Sequence, residues 1–501
     1  MGDTTTHVRV AIVGAGFAGI GMAIQLRRAG FGPGDFVVLE RGPEVGGTWR
    51  DNTYPGCRCD VPSHLYSYSF APNPGWTRSF ADQSEIWAYL RDCVDRFGVR
   101  PHLRVGTEVR RAAWDTGSRR WRLDTSAGPL TADALVAATG PLSEPAYPRL
   151  PDLDAFAGTT FHSARWNHRH DLTGRRVAVI GTGASAVQFV PAIQPRVAAL
   201  HIYQRTAPWI VPRPDRELSR VERGLYRRAP ALQKLARGRS YLAREALVPT
   251  FRHPRLADRL TRRVALRHLR RSVPDPALRA RLTPDYTIGC KRVLLSDDYL
   301  PALTRPHVEL ITDPIVQVRP YGIVAADGTT RLADTIIFGT GFHVTDMAVG
   351  DIVRGADGRL LTEVWQGSPQ AYAGTTVTGF PNLFLLLGPN TGLGHSSVVL
   401  MIEAQLRHVL DVLRLSYDNG NAPLAPTAAA QRAWVSEVDE SARGTVWTAG
   451  GCRSWYLDST GRNSTLWPRS VTAFRHRMSR FRPHDYEVPA HDSAPSPAAA
   501  A

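Results

Sequence analysis

Lysine is nearly missing from this 501-residue chain. Only Lys234 and Lys291 occur, so almost all the basic charge behind its net +16 is arginine. That bias reads as the mark of a GC-rich genome, and with no DNA or RNA module in the sequence a nucleic-acid partner is not expected. Cysteine is sparse too. Cys57, Cys59, Cys93, Cys290 and Cys452 are odd in number, scattered and without zinc spacing, and only one residue separates Cys57 from Cys59. Neither a metal site nor a redox CxxC pair is expected, and the usage suits a reducing cytoplasm. Nothing approaches the ~20 apolar residues of a membrane span, and Met1–Thr6 does not open a signal-peptide core. Hydrophobic residues at 43% and charged residues at 21% are ordinary for a globular protein, and the length allows two or three domains.

What the chain does have is two glycine-rich turns, each leaving a strand and opening an apolar helix. Gly14-Ala15-Gly16-Phe17-Ala18-Gly19 follows the strand-like run Val8–Val13, and Glu40 closes the next strand, Phe36–Leu39. Gly181-Thr182-Gly183-Ala184-Ser185-Ala186 follows Val177–Ile180, and after Ala199–Gln204 the corresponding place holds Arg205, with Thr206 beside it. An acid accepts from a ribose hydroxyl and repels a 2'-phosphate, whereas an arginine pairs with one. The first turn therefore predicts FAD or NAD, the second NADP. Together they predict a flavin and the reductant that feeds it.

Two apolar strands end on Thr-Gly: Ala134–Gly140 and Thr335–Gly341. They mark where the chain leaves and re-enters the first nucleotide unit, so the second is inserted between about Pro151 and Phe342. The expected fold is α/β, with two Rossmann-like dinucleotide-binding domains and an inserted helical subdomain. Residues 1–150 and 342–482 would form the FAD domain, 151–215 and 289–341 the NADPH domain, and 216–288 the helical subdomain. The Pro-, Ser- and Ala-rich tail, 483–501, is expected to be disordered. Arginine concentrates between Arg216 and Arg281, where Leu256, Leu260 and Val264 share one helix face and Pro230, Pro249, Pro254 and Pro274 prevent a single long helix. A helical subdomain with a solvated charged face is the plain reading; a basic amphipathic surface resting peripherally on anionic lipid, through 216–281, is the alternative. Gly388–Ser397 leads into a further helix, Val398–Leu413, whose start offers backbone donors to a flavin or pyrophosphate.

Between the first Thr-Gly ending and the second glycine turn lies Phe156-Ala157-Gly158-Thr159-Thr160-Phe161-His162-Ser163-Ala164-Arg165-Trp166-Asn167. It resembles the fingerprint of the type I Baeyer-Villiger monooxygenases, class B flavin monooxygenases, with Asn167 where the family usually has Pro or Asp. Three more stretches are similar to the same family. Gly46-Gly47-Thr48-Trp49 and Tyr54–Asp60 resemble the loop whose aspartate, here Asp60, lies near the flavin. Gly289-Cys290-Lys291-Arg292 resembles the step whose arginine reaches the flavin face while its lysine approaches the NADP phosphate. Ser454-Trp455-Tyr456 resembles the mobile loop that folds over nicotinamide.

The resemblance implies a ketone or other apolar substrate, O2, and the cofactors FAD and NADPH. It assigns Arg292 and Asp60 to catalysis. Gly14, Gly16, Gly19, Glu40, Gly47, Thr48, Trp49, Asp60 and Asn390 are expected on the flavin side, and Gly181, Gly183, Ser185, Arg205, Thr206, Lys291 and Trp455 on the NADPH side. Ketone oxidation needs a fixed cation to stabilise the attacking oxygen anion and the charged adduct; Arg292 cannot lose its proton, and Asp60 would make its burial tolerable. Oxygenation of nitrogen or sulfur, which needs no such cation, is the nearest alternative. An NADPH oxidase or reductase that transfers no oxygen is the alternative from another class.

Overall fold

The computed structural model describes residues 6–487, and two sheets organise it. β1 (Thr6–Val13) is followed by α1 (Phe17–Arg28) and β2 (Phe36–Leu39), the last buried on both faces as a parallel strand covered by helices must be. After α2 (Thr48–Asp51) and α3 (Gln83–Arg96) come β3 (Leu103–Arg104), β4 (Val109–Asp115), β5 (Arg120–Thr125) and β6 (Gly128–Ala137). Val10 stands opposite Phe36 on one side and Ala134 on the other, which fixes β1 between β2 and β6 in parallel register. β6 divides its free edge: its first half pairs antiparallel with β5, its second half parallel with Leu383–Leu385. Val353–Arg354 joins β4. Strands from beyond Phe342 thus complete the sheet that opened the chain.

The second sheet is wholly parallel and holds β7 (Thr159–His162), β8 (Arg176–Ile180) and β9 (Ala199–Tyr203), with α4 (Ala184–Ile193) between the last two. Its order is Val308–Ile311, β9, β8, Thr335–Phe338, β7. The chain crosses between the sheets twice, and the crossings bind each other: Pro145 bridges Phe342, and the Ala146 N–H donates to the Gly341 carbonyl at 2.9 Å. His162 lies fully buried beside this hinge, its ring against Tyr147 and Phe342. Burial lowers its pKa to about 4, and its Nδ1 accepts from the Ala164 N–H. A neutral imidazole in this position packs the hinge.

The helical excursion comprises α5 (Arg220–Arg228), α6 (Pro230–Glu245), α7 (Val248–Arg252) and α8 (Pro254–Ser272). Pro230 and Pro254 each occupy a first helical position, where the missing N–H costs nothing. Leu260 and Val264 do share a face of α8, but it is the outer one: they are 56% and 51% exposed, while Ala265 and Leu269 are buried.

The tail differs from expectation at its start. Pro483–Asp485 forms a helical turn and Tyr486–Glu487 pairs with Ala425–Pro426. The Tyr486 ring is buried and its hydroxyl lies 2.6 Å from His408 Nε2. One aromatic side chain with a polar partner outweighed the low complexity around it; residues 488–501 of that expectation lie outside the described residues. Tyr486→Ala is expected to cost about 3 kcal/mol, read as a lower apparent melting temperature. A melting curve identical to wild type would return Tyr486 to the disordered tail.

Candidate active site

The two glycine turns have the same construction. Gly14 and Gly181 adopt φ +102° and +103°, and a Cβ on them would come within 2.6 Å of the Ala138 carbonyl and 2.5 Å of the Gly339 carbonyl. Each Thr-Gly strand ending therefore packs on its own turn. A Cβ on Gly19 would meet the Gly14 carbonyl at 1.9 Å, so helix and strand close together only there. By contrast a Cβ on Gly16 or Gly183 would meet nothing nearer than 3.9 Å or 3.8 Å, which leaves open space beside the backbone. α1 and α4 both start without a side-chain cap and without an acid in the first turn, whereas Ser219, Thr427 and Ser470 cap other helices. Uncapped N–H groups, a positive dipole end and free space fit a pyrophosphate at each turn.

Glu40 is buried at the first turn. Its carboxylate accepts from the Ala15 N–H at 2.9 Å and the Gly42 N–H at 2.7 Å, and pairs with Arg50 at 2.8 Å. Arg50, which sequence reasoning missed, also binds Asp51, so one guanidinium is shared by two carboxylates at this corner. Gly47 sits against Gly16, Thr48 begins α2, and the Trp49 indole N–H donates to Tyr66 at 3.1 Å. At the second turn, the Thr182 hydroxyl donates to the Thr206 carbonyl at 3.3 Å, and Ser185 lies next to Tyr54. Arg205 is exposed and Lys291 half-buried, and neither meets a carboxylate within 4.0 Å among the described residues. Burial and then the Arg205 charge lower the Lys291 ammonium from its usual value. Lys291 lies over the Tyr286 ring at 5.1 Å, with Asp285 the nearby acid, and it stands close enough to Arg205 for the two positive charges to act on each other.

Arg292 and Asp60 meet in a two-point contact, Nε to Oδ2 at 2.6 Å and Nη2 to Oδ1 at 2.7 Å. Burial pushes the Asp60 carboxyl up, but the Arg292 charge and hydrogen bonds outweigh it and hold the group below its usual range. The Asp60 charge in turn raises Arg292, against burial. At neutral pH each group keeps the other ionised. Gln188 of α4, a residue without any motif to announce it, fixes the Asp60 loop: its amide takes hydrogen bonds from Tyr54 and the Arg58 N–H and donates to the Arg58 carbonyl. Arg213 and Arg244 add further positive charge around Asp60.

Tyr456 is buried beside Arg292, with its hydroxyl pushed up to about 12 by burial against the lowering effect of the Arg292 charge, while Trp455 next to it is 44% exposed. This loop is tied down. Cys452 is bridged to Cys290 across 162 positions with Cα atoms 6.2 Å apart, a pairing that the expectation of a reducing cytoplasm gave no reason to look for. Distant cysteines give no sequence signal when the contact is made by tertiary structure alone. Asn390 uses its side chain within the chain, donating to the Asn463 and Leu466 carbonyls and accepting from Arg462. It shapes the Gly388–Ser397 loop. There His395 pairs with Glu245 of α6 at 3.1 Å, another contact that no motif marks.

The family model for pyridine nucleotide-disulphide oxidoreductases matches residues 11–223. A Baeyer-Villiger monooxygenase of Streptomyces coelicolor is 54% identical over 484 residues, 96% of this chain and 93% of that protein. The cyclohexanone monooxygenase of a Rhodococcus species, solved with NADP+, superposes with a TM-score of 0.85 at 27% identity, covering 97% of this chain and 99% of that one. OTEMO, solved with FAD and NADP, gives 0.86 at 29% identity, covering 97% and 100%. With the fingerprint on the hinge, both nucleotide turns and the Arg292–Asp60 contact inside the aligned length, the chain belongs to the Baeyer-Villiger monooxygenases.

Proposed function

We propose that this enzyme binds FAD on the first glycine turn and NADPH on the second, and inserts one oxygen atom of O2 beside the carbonyl of an apolar ketone to give an ester or lactone. The two-point Arg292–Asp60 contact carries the reading. Bound FAD, reduced by NADPH, supplies the electrons and activates O2. Arg292 offers a guanidinium that stays charged, first to the attacking oxygen as it bears negative charge and then to the carbonyl oxygen of the adduct. Asp60 orients that guanidinium and offsets its desolvation. Lys291 and Arg205 hold the 2'-phosphate, and the buried Tyr456 keeps water from the side of Arg292 that its loop covers.

Among the described residues no helix is long and apolar enough to cross a membrane. The reading places the enzyme in the cytoplasm, where NADPH is regenerated, and the buried Cys57, Cys59 and Cys93 thiols suit a reducing compartment. The Cys290–Cys452 bridge is the feature that compartment does not explain.

In Arg292→Ala, ester formation from a ketone panel is expected to fall at least about 100-fold while NADPH still reduces the flavin in anaerobic stopped flow. Equal ester yield would remove Arg292 from the chemistry. Lys291→Ala or Arg205→Ala should raise KM for NADPH about 10-fold to 100-fold and leave NADH within about threefold; parallel losses for both nucleotides would deny the phosphate role. The pH dependence has a definite sign. Asp60 is held below its ordinary range, so the pair's contribution is present above that range and is lost only as pH falls through the lowered value. Neither partner should titrate between about pH 5 and 9, and a break in kcat there that vanishes in Asp60→Asn would contradict the assignment.

A further inference from the structure

α6 is built with its polar side inward. Gln233, Arg237, Tyr241 and Glu245 recur every four residues along one face, and all four are engaged by the rest of the chain. Gln233 donates to the Asn73 carbonyl at 2.7 Å, and Arg237 donates to the His64 and Ser67 carbonyls at 2.6 and 3.0 Å. Tyr241 meets Thr472 at 2.6 Å, while Glu245 accepts from Val471 and Thr472 and pairs with His395. The opposite face holds Leu232, Leu235 and Leu242, at spacings of three and seven that keep them in one stripe, and they are 40%, 62% and 66% exposed. α5, packed beside α6, adds Val221 at 81% and Leu225 at 47%, one turn apart.

A surface helix in a water-soluble protein normally does the reverse. Of the fourteen large apolar side chains that the described residues expose, eight lie between Val221 and Val264. A concentration of that kind marks a contact surface. Its charge selects the partner. Residues 216–281 hold nineteen Lys and Arg against five Asp and Glu, a net +14 within a chain of net +16. Arg227, Arg228, Lys234 and Arg239 are exposed on α5 and α6 themselves.

We propose that the outer face of α5 and α6 docks on an anionic lipid bilayer, with the leucine stripe entering the headgroup boundary and the surrounding arginines meeting lipid phosphate. A second copy of this chain would bring like charge against like charge. Nucleic acid would leave the leucines without a partner, and among the described residues α5 to α8 present no exposed Phe, Tyr or Trp for bases to stack on. The same α6 carries Arg244 on its inner side, where its charge acts on Asp60, so one helix separates the bilayer from the reaction centre. An apolar substrate held in lipid would then be concentrated next to the site. The docking goes beyond the ketone reading and does not rest on it.

Vesicle flotation of the full-length holoenzyme tests this, using phosphatidylcholine with about 30% phosphatidylglycerol, or phosphatidylcholine alone, at about 50 mM and about 500 mM NaCl. The enzyme should float with anionic vesicles at low salt, and at least about 10-fold less should float with neutral vesicles or at high salt. Leu235→Glu/Leu242→Glu should lose at least about 10-fold of the anionic binding while keeping flavin content and the vesicle-free rate of NADPH oxidation. Leu235→Ala/Leu242→Ala, which adds no charge, should bind at an intermediate level. Absence of flotation at low salt would overturn the proposal. So would an alanine variant that floats like wild type, since charge alone would then suffice, or a wild-type dimer in vesicle-free buffer that the glutamate variant splits, since the stripe would belong to a second copy.

Discussion

Arg292 and Asp60 stand 232 positions apart in sequence, and their contact obliges the inserted nucleotide unit to close on the flavin-side loop. Both side chains are only partly exposed, at 29% and 24%, so removing either would leave the other's charge short of a partner in a half-buried setting. Together they form a unit whose protonation is fixed in opposite directions by each other's field. Everything nearby serves its placement. Gln188 ties the Asp60 loop to the second nucleotide helix, and the Cys290–Cys452 bridge joins the segment before Lys291 and Arg292 to the loop that carries Tyr456.

The two nucleotide sites share a simpler constraint, imposed by backbone alone. A glycine with positive φ sits on the carbonyl at the end of a neighbouring strand, and a helix starts without a cap in front of open space. The duplication explains why small residues recur at both Thr-Gly endings. It also leaves the first turn of each helix without a protein side chain to complete it, as a ligand phosphate there would require. What distinguishes the sites is charge: Glu40 and Asp51 sharing Arg50 at one, Arg205 and Lys291, neither in an ion pair among the described residues, at the other.

The helical excursion shows what a periodic pattern tells and what it leaves open. Leu256, Leu260 and Val264 fall on one face of α8, as their spacing requires, yet Leu260 and Val264 face outward and the inner contacts are made by Ala265 and Leu269. α6 goes further and buries the residues a helical wheel would assign to solvent. Arg237 Nη1 is met there by loop carbonyls and Glu245 by N–H groups at the start of the helix Val471–Met478, all distant in sequence, while Arg237 Nη2 has no partner among the described residues. Periodicity reports which residues share a face; the identity of the facing surface is a property of the assembled chain.

Local chemistry was legible from the residues. The glycine turns, the strands before them, the acid and the arginine after them and the insertion between the Thr-Gly endings all follow from short-range rules of φ, hydrogen bonding and charge. Lys291 drew attention because lysine is so rare, whereas Arg292 was one arginine among dozens and was singled out only by the motif it resembles. Folding decided the rest: that Arg292 finds Asp60, that Cys290 finds Cys452, that Tyr486 is buried and that α6 turns its leucines outward. Those pairings span from tens to hundreds of residues, and no local propensity encodes a partner at that range, because the free energy that selects it comes from desolvation and packing once the two sheets have met.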